Sequence, residues 1–350
     1  MTRQRLLEHY RRYPKMQAQD VLKFLHQSAF GCEHLATSLE DATNHIVKEY
    51  EEVSPKGKAL IEPLDGQYSR AHLTCLNEGL GAQTLSRLFF LSAKEEASGR
   101  TQLEQKLSVA KMLAGEGLLP FSLEELETAI NKWQAKGYPP VRHSETFRQA
   151  YRPSYRVIAN RFVPFLPLFV RLDSLQRKGP VTLAIEGGSA SGKTTLAQML
   201  AKVYDCTVFH MDHFFLQPYQ RTAGRYEEAG GNVDRERFLA EVLKPLSRGE
   251  TVRYRRFDCG TDTLSQPIEV IPKKLTVIEG AYSMHPELSN YYDLSVFLDI
   301  APDLQKKRIK KRNSPAMAKR FFEERIPLEE KYFAHLKVKE RCDLLVAIDE

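Results

Sequence analysis

From Val181 onward, short and almost uninterrupted apolar runs alternate with longer stretches in which apolar residues recur at helical spacing. The runs are VTLAIEG (from Val181), TVFHM (from Thr207), LTVIEG (from Leu275), LSVFLDI (from Leu294) and DLLVAID (from Asp343). Strands that are apolar on both faces and separated by helices predict a parallel sheet covered on both sides. The first half has a different texture. Helical periodicity predicts helices in QDVLKFLHQSAF (from Gln19), LEDATNHIVKEYEEV (from Leu39), TLSRLFFLSAKEEA (from Thr84) and SLEELETAINKWQAKG (from Ser122). The last opens with Ser122 and, three positions on, Glu125, a capping box, and closes at Gly137. Turn clusters at Ser54–Gly57 and Gly137–Pro140 separate these pieces. The change at Gly179-Pro180 predicts two domains: a mostly α-helical one over 1–175 and an α/β one over 176–350.

Composition narrows the class without naming a reaction. The chain has 350 residues, 42% hydrophobic and 27% charged, which suits two globular cores. A net charge of +6 is mild for this length; it fits anionic small substrates and does not call for nucleic acid. Five scattered cysteines without a CxxC pair argue for reduced thiols rather than a disulfide framework or structural zinc. His26, Cys32 and His34 lie close together, but their spacing matches no zinc pattern, and a satisfied helix terminus is the expectation. The N-terminus has no apolar signal region, and FVPFLPLFVRL (Phe162–Leu172) is too short to span a bilayer and carries two prolines. A cytoplasmic protein without membrane contact is expected.

The chemistry is signalled at Ile185–Gln198, IEGGSASGKTTLAQ. Gly187, four residues, then Gly192-Lys193-Thr194 matches the Walker A pattern, with an apolar strand before it and an apolar helix after it. Glycines let backbone amides close around phosphate, and the helix N-terminus adds free donors and a positive dipole end. The loop Gly187, Gly188, Ser189, Ala190, Ser191, Gly192, Lys193, Thr194, Thr195 is therefore the expected nucleotide cradle. Lys193 is expected on the β- and γ-phosphates and Thr194 on Mg²⁺.

Two acids close predicted strands. Asp212 follows TVFHM, where a carboxylate can deprotonate an acceptor hydroxyl or hold the shell of the metal; Glu279 ends LTVIE in a Walker B-like position. The run KKRIKKRNSPAMAKR (Lys306–Arg320) sets Arg308 and Arg312 four residues apart, on one helical face, as a candidate lid over the transferring phosphoryl group.

With these landmarks in place, the stretch from Val181 to Ala347 resembles the uridine kinase and phosphoribulokinase family of P-loop kinases. The matching segments are GGSASGKTT, MDHFF, GGNVDRERF, YRRFDCGTDT, VIEGAYSMHP, RIKKRN and EEKYF, in the family's order. The resemblance implies a P-loop NTPase three-layer sandwich with sheet order 2-3-1-4-5. It also implies ATP or GTP with Mg²⁺, and in-line transfer to a primary hydroxyl. It assigns catalysis to Lys193, Asp212 and the lid arginines Arg308 and Arg312, and metal binding to Thr194, Asp212 and Glu279. Asp234 falls where the family's acid meets acceptor hydroxyls, and Tyr332 near a late aromatic segment bordering the acceptor. Asp258 and Tyr282 lie in matching segments and join the acceptor-side candidates.

One departure bears on the substrate. The His and Arg by which pyrimidine-specific members read the base are replaced, in FDCGTDTLSQP, by Asp262 and Leu264. Arg221, Arg225, Arg255 and Arg256 in the acceptor-side segments suggest an anionic group on the acceptor instead. The expected partner is thus a small-molecule hydroxyl acceptor such as a nucleoside, sugar or hydroxy acid, with no nucleic acid and no membrane. The competing reading is a regulatory or nucleic-acid-linked P-loop NTPase. For the first domain, where Asp65-Gly66 signals a turn beside Arg70 and His72, three tasks stay open: shaping the acceptor pocket, binding an effector, or homo-oligomeric assembly.

Overall fold

The computed structural model describes residues 1–31, 38–93 and 99–349. The chain divides into two units, Met1–Val170 and Arg171–Glu350.

The first unit runs α1 (Thr2–Arg12), α2 (Ala18–Phe30), α3 (Leu39–Val53), β1 (Ile61–Pro63), β2 (Tyr68–His72), α4 (Ala82–Ser92), α5 (Gly99–Gly115), α6 (Leu123–Gln134), α7 (Glu145–Tyr151) and β3 (Tyr155–Ala159). After it, α8 (Leu166–Gln176) carries the chain past the division. The capping box of α6 is made as expected: the Glu125 amide donates to Ser122 Oγ (3.1 Å) and the Ser122 amide to Glu125 Oε2 (2.7 Å). Leu6, Phe24, Leu25, Leu113, Leu126 and Phe147 fill the core between the helices. The helical texture concealed an antiparallel sheet, β1-β2-β3. Its hairpin turns at Asp65-Gly66, where Gly66 takes φ +113°. Its strands are three to five residues long, too short to display alternation.

Arg70 and His72 stand on β2 beside the buried Glu62. The Glu62 carboxylate meets His9 Nδ1 at 2.5 Å, His72 Nε2 at 3.3 Å and a guanidinium nitrogen of Arg70 at 3.5 Å. The Arg70 charge, together with the His72 and His9 hydrogen bonds, holds Glu62 well below the usual carboxylate range despite its burial. His26 is buried, its ring 5.0 Å from Phe30 and 6.0 Å from Trp133; Cys32 and His34 lie outside the described residues.

In the second unit follow β4 (Val181–Gly187), α9 (Lys193–Val203), β5 (Cys206–His210), α10 (Ala223–Glu227), α11 (Arg235–Phe238), α12 (Lys244–Ser247), β6 (Val252–Tyr254), β7 (Phe257–Asp258), β8 (Thr263–Leu264), β9 (Ile268–Val270) and β10 (Leu275–Glu279). The chain continues through α13 (Pro286–Ser289), β11 (Leu294–Ile300), α14 (Pro302–Arg312), α15 (Pro315–Arg320), α16 (Ile326–His335), α17 (Val338–Arg341) and β12 (Leu344–Ile348). The main sheet is parallel, in the order β12-β11-β4-β10-β5. Numbered by chain order and read from the β5 edge, this is the expected 2-3-1-4-5. Two small antiparallel pairs, β6 with β9 and β7 with β8, stand apart from it.

One boundary differs from the sequence expectation. β5 ends at His210, and Asp212 sits in a 3₁₀ turn, Met211–Phe214, rather than at the strand end. The turn buries Met211 and Phe214 and leaves Asp212 exposed. Among the described residues no helix is long and apolar enough to cross a membrane.

Candidate active site

The phosphate loop leaves β4 at Gly187, whose φ of +144° and close approach to the sheet both require glycine. A Cβ there would lie 2.7 Å from the carbonyl oxygen of Leu298. Gly192 (φ +103°) caps α9, so Lys193 is the first residue of that helix, beside its unpaired amides. Ala190 also takes a left-handed conformation, φ +61°. Lys193 folds back on its own loop, its ammonium donating to the carbonyls of Gly187 (2.7 Å) and Gly188 (3.0 Å). Ser191 is buried, and its hydroxyl has no partner among the described residues.

The carboxylates surround this loop. Glu279, last residue of β10, accepts from Thr194 Oγ1 at 3.1 Å and meets His210 Nδ1 at 2.5 Å. The in-register pairing of β10 with β5 sets Glu279 opposite His210. A threonine hydroxyl in contact with a carboxylate is a hard-oxygen donor set, which fits Mg²⁺, a cation that keeps several waters and takes few protein ligands. Among the described residues no group of three or more His, Cys, Asp and Glu is placed to hold a metal ion. Glu329, on α16, accepts from the Ser189 amide (2.7 Å) and hydroxyl (2.6 Å), while Gln305 donates to the Ser189 carbonyl (2.9 Å). Burial pushes the Glu329 carboxyl above its ordinary range; Lys193 and the two Ser189 bonds pull it back, and the nearby charge of Asp212 raises it further. Asp212, Lys193 and Glu329 therefore share one electrostatic environment.

Beneath the loop Glu186 is fully buried and takes four hydrogen bonds: from the Gly187 and Met284 amides (3.0 Å each), the Tyr332 hydroxyl (3.0 Å) and the Ser283 hydroxyl (3.3 Å). Burial still dominates and raises its carboxyl to about 7.

The acceptor-side candidates separate into engaged and open groups. Asp234 caps α11 and is buried against Arg237, whose Nε donates at 3.1 Å. Arg225 makes a bidentate pair with Glu236 (2.7 Å twice) and donates to the carbonyls of Gly231 and Val233, which folds its own loop. Arg221 pairs with Asp262 at 2.6 Å, and Asp258 accepts from the Gly260 amide at 2.7 Å. Tyr282 (φ +75°) and Tyr332 are buried, their rings 4.9 Å apart. Arg255 and Arg256 are exposed, and the charge of Arg256 helps burial hold His213 down to about 4, one residue from Asp212. On α14, Arg308 faces the phosphate loop, 3.5 Å from the Ala190 carbonyl, while the exposed Arg312 lies 5.8 Å from the Phe321 ring. The structure thus gathers Lys193, Thr194, Glu279 and Arg308 about the phosphate loop, holds Asp212 in the turn after β5 with its charge acting on Glu329, and sets Arg225, Asp234 and Tyr332 into the supporting framework.

Four residues near the loop escaped the sequence reading: Glu186, His210, Gln305 and Glu329. Glu329 carried a usable signal, since it lies three residues before Tyr332 and these two are the buried face of α16. Arg325 also escaped; it stacks 5.8 Å from Phe215, just beyond the Asp212 turn.

Comparison with known proteins bears on the second unit. The profile of the phosphoribulokinase/uridine kinase family matches residues 182–314, all within the second unit. A uridine kinase of Aliivibrio salmonicida is 31% identical over 147 residues, 38% of this chain and 67% of that protein. A uridine kinase of Clostridium novyi is 27% identical over 136 residues, covering 36% and 64%. The chain thus spans about two thirds of the length of these relatives. A solved structure, of a possible uridine kinase from Bacillus stearothermophilus, is 22% identical and covers 51% of this chain and 99% of that one, with a TM-score of 0.38, too low to bear on function.

Proposed function

Because the chain belongs to the phosphoribulokinase/uridine kinase family, whose members are phosphotransferases acting on an alcohol group, we propose that its second unit transfers the γ-phosphoryl group of ATP to a hydroxyl of a small metabolite, with Mg²⁺. The observation that carries this reading is the Thr194–Glu279 contact beside Lys193, at the amide-rich start of α9.

In this reading the ammonium of Lys193 leaves the Gly187 and Gly188 carbonyls for the β- and γ-phosphates, and the loop amides neutralise the rest of the charge. Thr194 and Glu279 would hold Mg²⁺, which would supply neutralisation of the phosphate charge when bound. His210 fixes the Glu279 carboxylate through Oε1, the same oxygen that accepts from the Thr194 hydroxyl. Asp212 takes the proton of the acceptor hydroxyl as its oxygen forms a bond to phosphorus and the bond to the ADP leaving oxygen breaks. Arg308 stabilises the equatorial oxygens in transit, with Arg312 reaching them as the α14 segment closes.

On the acceptor, Arg221 and Arg225 are already paired with Asp262 and Glu236, whereas Arg256 has no hydrogen-bond partner for its guanidinium among the described residues. Arg255 is open in the same way, but the charge of Arg256 is the one that acts on His213, next to Asp212, so Arg256 is the arginine assigned to an anionic group on the acceptor. The test is a transfer screen with Mg-ATP against nucleosides, sugars and small hydroxy acids, with and without carboxylate or phosphate groups. Preference for an anionic acceptor, lost in Arg256→Ala, is the expected result; a neutral nucleoside as the best acceptor refutes the assignment.

A further inference from the structure

The first unit holds a cavity of about 700 Å³ between α2, α3, α4, the segment before α7, and β3. That volume is within the range of small-molecule sites. The face of α3 bordering it carries Ala42, His45, Lys48, Glu49 and Glu52. Four of these five residues are polar, and His45, Lys48 and Glu52 are exposed, so this wall of the cavity is polar and open to solvent.

Its floor is rich in donors. Gln27 lines the cavity and is 6% exposed. Its Oε1 accepts from Arg70 Nε (2.9 Å) and from the Tyr155 hydroxyl (3.3 Å). With the oxygen held by both donors, the carboxamide is oriented, and among the described residues its NH₂ has no hydrogen-bond partner. Lys23, one turn earlier on the same face of α2, lines the same wall and gives one hydrogen bond, to the Val141 carbonyl at 2.9 Å. Among the described residues its other two ammonium protons have no hydrogen-bond partner. Behind Gln27, Arg70 is wholly buried, and among the described residues one of its guanidinium nitrogens has no partner. Burial and the charges of Arg70 and Arg142 bring Lys23 down to about 8, with Asp20 opposing. The lining itself carries three cations, Lys23, Lys48 and Arg156, against two carboxylates, Glu49 and Glu52, and Lys48 and Arg156 are the ones that pair with them. Across the cavity, Glu49, paired with Arg156 at 2.7 Å, and Glu52 offer acceptors instead.

We propose that this cavity binds a hydroxylated organic anion of sugar-phosphate size, its phosphoryl or carboxylate oxygens on Lys23 and Gln27 and its hydroxyls toward Glu49 and Glu52. Loss of one charge-assisted hydrogen bond corresponds to about tenfold in affinity. The site is independent of the phosphate loop in the second unit.

The test is calorimetric titration of the full chain with ribose 5-phosphate, gluconate and neutral ribose. One or both anions bind, identifying the head group, and ribose binds at least about tenfold more weakly. Lys23→Met weakens the anion by about tenfold or more. Gln27→Glu, which keeps an oxygen for Arg70 and Tyr155 but replaces the NH₂ donor with negative charge, abolishes it. Lys193→Ala leaves it unchanged. Should Lys23→Met fail to fold, Gln27→Glu carries the same comparison. Binding of neither anion, wild-type affinity in the folded Lys23 or Gln27 variants, or loss of binding in Lys193→Ala overturns the proposal.

Discussion

The carboxylate of Glu329 grips Ser189 twice, accepting from its amide at 2.7 Å and its hydroxyl at 2.6 Å, and so lays a negative group on a donor of the phosphate loop. An incoming phosphate competes for that amide. Glu329→Gln, which removes the charge and keeps the shape, should tighten ATP binding by about threefold to tenfold, on the scale of one charge-assisted hydrogen bond. Titration with a non-hydrolysable ATP analogue measures it; weaker binding would instead make Glu329 a support that shapes the loop.

Asp212 is assigned to proton removal and stands exposed in the turn after β5. Asp212→Asn should lower kcat by about 10²–10⁴, the usual worth of a general base, with little change in nucleotide affinity. Equal losses in kcat and ATP binding would show that the side chain serves binding or structure.

Glu186 makes stability depend on pH in a defined direction. Its folded pKa is raised to about 7 from an ordinary 4.5, so its contribution is full below 4.5 and is lost as the pH rises through 7. Neutral burial of His213 and His285, each held down to about 4, works in the opposite sense. The informative quantity is therefore the difference between wild type and Glu186→Gln. Relative to the variant, the wild-type Tm should fall between pH 5 and pH 7; parallel curves would exclude a protonated Glu186.

Ala190 sits at φ +61° in the loop, a conformation that glycine accepts and β-branched residues resist. Ala190→Gly should leave stability nearly unchanged, whereas Ala190→Val should destabilise by about 1–3 kcal/mol and impair nucleotide binding. Denaturant melts of both variants check this, and an unaffected Ala190→Val would argue for a different loop conformation in solution.

The sequence revealed those features that local pattern or covalent order determines. The β4–loop–α9 unit was legible because glycines, lysine and threonine occur in fixed spacing between a strand and a helix, and Glu279 because an apolar run ends on it. The capping box of α6 was legible for the same reason, being made within four residues. What failed to show were contacts across long separations. Glu329 reaches Ser189 from 140 residues away, and Tyr332 reaches Glu186 from 146. The arginines misled in a related way: composition presents Arg225 as a free cation, and only the fold brings Glu236 and two carbonyls to it. In the first unit, Arg70 and His72 stand out beside the Asp65-Gly66 turn, but their common partner Glu62 is recognisable only from the pairing of β1 and β2.

The most direct measurement follows the terminal phosphate itself. Wild-type protein and Lys193→Ala are incubated with Mg²⁺ and ATP labelled at the γ-phosphorus, in the presence of the hydroxyl-bearing panel. The account predicts label in an organic phosphate ester, dependent on Mg²⁺ and absent with Lys193→Ala at unchanged fold. Label released only as inorganic phosphate, or an ester formed equally well by the variant, would contradict it.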